Sequence, residues 1–173
     1  TPGEDIVIDN SYAQPADLNT AVSSGAVQLA VLPEPMVTIA RSANDKLTAA
    51  LDLTAEWDKV APAGSLVQGC AVVRREFAEA HPAELACFLN EYKASVEALS
   101  ADIQGSAEKI QETGIFAKAA VAAKAIPNCN ICFMEGEAMK TAVSKYMSAL
   151  FEIAPASVGG AVPGDDFYYA RKK

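Results

Sequence analysis

Apolar residues recur with a helical period along several stretches of the chain. The longest stripe follows His81 and Pro82, and its members are Leu85, Phe88, Leu89, Tyr92, Val96 and Leu99. A spacing of mostly three or four residues places them on one face of a helix, which Pro82 can open in its first turn. Weaker patterns of the same kind predict helices at residues 16–24, 36–42, 106–113, 116–125 and 137–151.

Short apolar runs alternate with these helices and predict β-strands. They cover residues 5–9, 27–32, 46–53, 69–77 and 131–134. The run Val-Gln-Leu-Ala-Val-Leu at 27–32 is apolar almost throughout, which is typical of a parallel strand buried on both faces. With the helix before it and the first strand, it forms a predicted βαβ unit with a right-handed crossover. The pattern therefore predicts an α/β fold.

Composition narrows the class of protein. The chain has 173 residues, 51% of them apolar, and a formal net charge of −8. This length suits one domain or two small lobes, and the loop at 61–64 is a candidate crossing between lobes. The acidity argues against a nucleic-acid partner, and no apolar run is long enough for a membrane helix. Residues 1–5 lack the features of a signal peptide, so the protein is interpreted as cytosolic or as having lost its start.

Residues that could carry enzyme chemistry are few. His81 is the single histidine, and no dinucleotide-binding, phosphate-loop or nucleophile-elbow motif is present. Cys129 and Cys132 form a C-x-x-C pair, but a strand-like run follows it and no second pair lies at metal-ligand spacing. We interpret these cysteines as core, free or disulfide-bonded thiols. The sequence predicts no metal, no cofactor and no enzyme.

The motif Pro33-Glu34-Pro35 follows directly after the buried run at 27–32. Ligands of open α/β sheets bind beyond the carboxyl ends of the strands, where Glu34 would project. The two prolines restrict the backbone, so the loop would be ordered before binding. The alternative is a rigid turn whose glutamate simply faces water. The residues by themselves favour neither.

Several stretches together resemble one protein family. LNTAVSSGAVQLAVLPEP, from Leu18, is similar to a signature of ABC-transporter solute-binding proteins of the nitrate/sulfonate/taurine type. The stretches LVQGCAVVRREFAEAHPAELACFLNEYKASVE, AIPNCNICFMEGEAMK and SVGGAVPGDDFYYA resemble the segments by which that family returns to its first lobe. Gln28 departs from the family, which usually has aspartate there.

The resemblance implies a type II periplasmic-binding-protein-like fold, in part. Residues 1–64 would be the later part of lobe two, and residues 65–173 the returning C-terminal part of lobe one. The function implied is non-covalent capture of a small solute in an inter-lobe cleft and its delivery to an ABC permease. Such a protein would be extracytoplasmic, in the periplasm or on the cell surface as a lipoprotein. The N-terminal half of such a protein would be absent from this chain.

The resemblance and the positions of the residues together give a predicted ligand site. Its members are Glu34, Pro35, Asn10, Ser11, Tyr12, Gln68 and Gly69. A carboxylate in the cleft disfavours a bare anion, so a cationic or heteroaromatic solute is expected. The resemblance also suggests a disulfide between Cys70 and Cys129, which an exported protein permits.

Two other functions stay open. One is a pyrimidine-precursor synthase on the same fold, for which Cys129 is the candidate catalytic residue. The other is a structural or interaction module without a cleft. If the first half is missing, exposed strand edges should also drive this chain to form a homodimer, to exchange strands, or to associate with the missing half.

Overall fold

The computed structural model describes residues 3–171, and eight α-helices account for most of its regular structure. They are α1 (Pro15–Ser23), α2 (Met36–Ala43), α3 (Leu53–Trp57), α4 (Arg75–Ala80), α5 (Pro82–Ala101), α6 (Ile103–Glu112), α7 (Ala119–Ala125) and α8 (Gly136–Ile153). Short 3-10 turns occupy Ile126–Asn128, Pro155–Val158 and Asp165–Phe167. All six helices predicted from periodicity are present, with ends shifted by a few residues.

The prediction of an α/β, periplasmic-binding-protein-like fold is wrong for this structure. Helices hold 55% of the chain and strands about 1%, and the described residues contain no sheet. Ile6 makes one isolated bridge, and the apolar runs at 27–32, 46–53 and 131–134 form no strand. The run at 69–77 is irregular up to Arg74 and then enters α4. The predicted βαβ unit is therefore absent.

The physical reason is that a strand has no hydrogen-bonding partner of its own. A helix closes its backbone hydrogen bonds within one segment, whereas a strand needs a neighbouring chain segment at about 4.8 Å. The N–H and C=O groups of residues 28–32 make no backbone hydrogen bond to any other described residue. The apolar composition of these segments suits a β-sheet, but it does not show whether a second strand lies beside them.

Helix α3 went unpredicted because its signal is a cap rather than an apolar stripe. Asp52 precedes it, and its side chain accepts hydrogen bonds from the backbone N–H groups of Thr54 (2.9 Å) and Ala55 (3.3 Å). An aspartate at this position satisfies N–H groups that a helix leaves without intrahelical partners. A five-residue helix is too short to show periodicity.

The chain divides into two compact units that interleave along the sequence. The first contains residues 1–50 and 97–131, and the second contains residues 51–96 and 132–173. The predicted lobes had a single boundary after residue 64. The assignment of residues 1–64 and 65–173 to two lobes stays a prediction.

The first unit is built from helices joined by small side chains. α1 packs on α2, α2 on α7, and α6 on α7. The buried residues at these contacts are mostly small: Ala21, Val22, Ala40, Ala107, Ala122 and Ala125. Buried Asn19 fixes the α1–α2 pair, because its side-chain amide donates to the carbonyl of Met36 at 2.6 Å. Small residues let the helices approach closely.

The second unit has a thin apolar core around Leu85, Val96 and Val143. Aromatic contacts extend it: Trp57 meets Tyr146 edge-on at 5.7 Å, and Tyr92 meets Phe133 at 5.8 Å. Edge-to-face geometry is favourable for such ring pairs. The first contact joins α3 to α8, and the second joins the part of α5 in this unit to the segment before α8.

Candidate functional site

A cavity of about 380 Å³ opens in the first unit beside α2 and α7. Its lining residues are Thr38, Arg41, Ser42, Asp45, Leu47, Lys124 and Asn128. Thr38, Arg41 and Ser42 lie at positions i, i+3 and i+4, so the helical repeat places them on one face of α2. This volume falls in the range of small-molecule sites.

The remaining walls come from a turn and from the end of α7. Asn44 ends α2, and its side chain donates to the carbonyl of Ser23 (3.1 Å) and accepts from the backbone N–H of Lys46 (3.0 Å). These bonds fix the turn that carries Asp45 and Leu47. On the other side, the amide of Asn128 donates to the carbonyl of Lys124 at 3.3 Å.

The charges that line the cavity favour an acidic ligand. Arg41 and Lys124 bring two positive charges and Asp45 one negative charge. Within residues 3–171, neither Arg41 nor Lys124 makes an ion pair. In an acidic chain, an unpaired guanidinium and ammonium on one cavity form a local positive site that can bind a carboxylate, sulfonate or phosphate.

Glu34, the residue at the centre of the sequence prediction, lies one helical turn from this cavity. Its two carboxylate oxygens accept hydrogen bonds from Thr38, one from the backbone N–H (3.2 Å) and one from the hydroxyl (3.1 Å). It therefore caps the first turn of α2 and orients a residue that lines the cavity. The peptide bond between Glu34 and half-buried Pro35 is cis.

Cys129 lies close enough to Glu34 to be affected by its charge. Desolvation and, to a lesser extent, the negative charge of Glu34 raise the pKa of the Cys129 thiol. Both effects disfavour the thiolate, the form that acts as a nucleophile. The environment of this thiol is thus unlike that of an activated cysteine.

We expect Cys129 to be the slow thiol of the chain. At pH 8 it should react with iodoacetamide more slowly than exposed Cys132, because a raised pKa leaves less thiolate. Glu34→Gln should speed the reaction at Cys129 and leave the rate at Cys132 unchanged. Peptide mass spectrometry after timed alkylation gives each rate. Equal rates at the two thiols would contradict the assignment.

Five of the predicted site residues lie apart from Glu34 along the chain. Asn10, Ser11 and Tyr12 are exposed, and no hydrogen bond, ion pair or ring contact in the described residues joins them to Glu34. The backbone N–H of Ser11 donates to Asp9 at 2.8 Å, and bonds from Ser11 lower the pKa of Asp9. Their ligand-binding role stays a prediction.

Gln68 and Gly69 belong to the second unit, where both are exposed in an irregular stretch. Cys70 follows them, and all four cysteines are free thiols in this structure. Cys70 and Cys129 fall in different units. Their predicted disulfide, like the ligand role of Gln68 and Gly69, stays a prediction.

Sequence reasoning missed Arg41, Lys124 and the rest of the cavity lining. One signal was available: Thr38, Arg41 and Ser42 form a polar stripe on one face of α2. Lys124 gave no such signal, since it lies at the end of an alanine-rich helix far along the chain. Only the packing of α2 on α7 brings it to the same cavity.

The second unit has its own cavity, of about 400 Å³, beside Trp57. Two of its polar side chains, those of Trp57 and Ser65, are already hydrogen-bonded. The indole N–H of Trp57 donates to the hydroxyl of Ser65 at 2.9 Å, and that hydroxyl donates to the carbonyl of Pro62. Lys145 and Glu152 line the same cavity with opposite charges. The two cavities differ in charge, since this lining carries one charge of each sign whereas the lining beside α2 carries two positive charges and one negative charge.

The described part of the chain has neither a membrane-spanning helix nor a metal-binding cluster. No helix there is both long and apolar enough to cross a bilayer. No group of three or more histidine, cysteine, aspartate or glutamate side chains in residues 3–171 could hold a metal ion.

Comparison with known proteins gives one strong structural likeness. No protein-family model and no curated protein matches the sequence. The backbone, however, superposes on the crystal structure of an ABC transporter from Parabacteroides distasonis with a TM-score of 0.76, over 97% of this chain and at 22% sequence identity. The fold is related to that of an ABC transporter. The chain spans 58% of the length of that transporter chain.

Proposed function

We propose that this chain is the solute-binding component of an ABC importer, acting outside the cytoplasm. The observation that supports this most is the structural likeness to the transporter chain, which extends over 97% of these residues. The resemblance of Pro33-Glu34-Pro35 and its flanking stretches to nitrate/sulfonate/taurine-type binding proteins points the same way. In this proposal the chain captures a small solute without covalent chemistry and passes it to a permease.

The cavity beside α2 is the proposed binding site. Arg41 and Lys124 would bind an acidic group of the solute, and the hydroxyls of Thr38 and Ser42 would add hydrogen bonds. The carboxylate of Asp45 would accept a hydrogen bond from an amino group at the other end of the solute. This arrangement replaces the cationic or heteroaromatic solute expected from Glu34 with a small acid or zwitterion, because the oxygens of Glu34 already cap α2.

The enzyme alternative has less support. It rests on Cys129 as a nucleophile, and the raised pKa of that thiol disfavours the reactive thiolate. A binding role needs no activated group. It needs a cavity whose polar groups can hold the solute, and within residues 3–171 the side chains of Arg41 and Lys124 on the α2 cavity make no ion pair.

A ligand screen tests the proposal. The purified protein is tested by thermal shift and native mass spectrometry with nitrate, bicarbonate, taurine, methanesulfonate and an aminopyrimidine. We expect at least one acidic or zwitterionic member, taurine foremost, to stabilise the fold and to bind with a stoichiometry of one. Binding of the aminopyrimidine alone would contradict the proposed solute class. Turnover of any compound that is abolished by alkylating Cys129 would favour the enzyme.

A further inference from the structure

The irregular segment at residues 26–32 leaves apolar side chains uncovered, and its backbone bonds are made at its start, where the N–H groups of Ala26 and Val27 donate to the carbonyl of Ala21 (2.9 and 3.2 Å). Leu29 is 84% exposed and Val31 is 72% exposed. No backbone hydrogen bond joins residues 28–32 to any other described residue. Single exposed apolar residues are ordinary, but an uncharged run with unpaired N–H and C=O groups is a template for another strand.

The chain as a whole exposes more surface than its mass predicts for a globular protein. The chain exposes 12434 Å² at a mass of 18.1 kDa. A globular protein of this mass exposes about 8,000 Å², and two independent globules of half the mass together expose about 9,700 Å². The excess is larger than the roughly 800 Å² that each partner buries in a standard interface.

Among the uncovered apolar runs, residues 26–32 are the best suited to pair with themselves. The run Ala-Val-Gln-Leu-Ala-Val-Leu has no charge and no proline. Such six- or seven-residue runs pair readily with identical copies. The run at 6–8 is flanked by Glu4, Asp5 and Asp9, and the run at 69–73 is followed by Arg74 and Arg75. In an antiparallel self-pair of the run at 6–8, Asp5 would face Asp9, and the run at 69–73 is only five residues long with two arginines directly after it.

We propose that residues 26–32 form an antiparallel strand pair with the same residues of a second copy of this chain. In a symmetric pair centred on Leu29, the two Leu29 side chains face each other and Val27 faces Val31 of the second copy. These residues share one face by the two-residue repeat of a strand. Pairing would straighten the bend that the backbone makes at Gln28 and Leu29, and it would release one of the two bonds that the N–H groups of Ala26 and Val27 donate to Ala21.

The experiment is to measure the mass of the chain in solution against concentration, by light scattering after size-exclusion chromatography. We expect a species of twice 18.1 kDa at micromolar concentration. Added salt should strengthen it, because each copy carries a net charge of −8. Hydrogen exchange at the amides of residues 28–32 should slow as the fraction of dimer rises with concentration.

Two matched variants locate the interface. Val31→Lys places a charge in the pair and should weaken the dimer about tenfold or more. Val60→Lys makes the same change at a valine that is 84% exposed but outside the segment, and should leave the dimer unchanged. A monomer at every concentration, equal effects of the two variants, unprotected amides in the dimer, or pairing with a different polypeptide instead would each overturn the proposal.

Discussion

A double variant, Arg41→Gln with Lys124→Gln, should bind its acidic solute about 100-fold more weakly than the unchanged protein. Each substitution keeps a polar side chain of similar length and removes one positive charge from the cavity. A hydrogen bond to a charged group contributes about 1.5–3 kcal/mol and a tenfold change in affinity is about 1.4 kcal/mol, so a loss of about 100-fold is the lower end of what losing two such bonds should cause. Isothermal titration with taurine, or with the acidic compound that the screen selects, measures the change.

Lys109→Gln is the matched control for this double variant. Lys109 is an exposed lysine of α6 in the same unit, and it does not line the cavity. The Lys109→Gln substitution removes one positive charge from the same unit. It should leave the affinity within about twofold of that of the unchanged protein, because salt screens an exposed charge outside the cavity. Equal losses in the control and in the double variant would mean that the affinity depends on overall charge rather than on the cavity.

Leu85→Ala should lower the free energy of unfolding of the second unit by about 2–5 kcal/mol. Leu85 is 6% exposed and is the largest of the buried apolar side chains in the described residues. Its truncation removes transfer free energy and leaves a cavity that the surrounding helices fill only in part. Chemical denaturation followed by the fluorescence of the single tryptophan, Trp57, reports on the same unit.

The control for this prediction is Leu51→Ala. It makes the same chemical change in the same unit at a leucine that is 68% exposed, so the loss should stay within about 0.5 kcal/mol. Similar losses at Leu51 and Leu85 would show that Leu85 does not belong to a packed core.

The helices were the predictable part of this fold because their signals are local. The apolar stripe at Leu85 and Val96 and the proline at the start of α5 specify a helix without reference to the rest of the chain. The strands were mispredicted for the opposite reason. The run at 27–32 has the composition of a buried strand, but a strand forms only beside a partner, and the described chain offers it none.

The candidate site was predictable only at its edge. Pro33-Glu34-Pro35 correctly drew attention to the start of α2, yet Glu34 caps the helix rather than standing free. The charged residues of the cavity, Arg41 and Lys124, come together through the packing of two helices distant in sequence. No motif in a single sequence records such a contact.

The most direct test of the central claim is an amide NMR titration of the isotope-labelled protein with the tightest-binding compound of the screen. The account predicts saturable shifts in α2 from Thr38 to Ser42 and around Lys124 and Asn128, with the indole signal of Trp57 unmoved. Shifts centred on Trp57, or none that saturate with any compound of the screen, would contradict it.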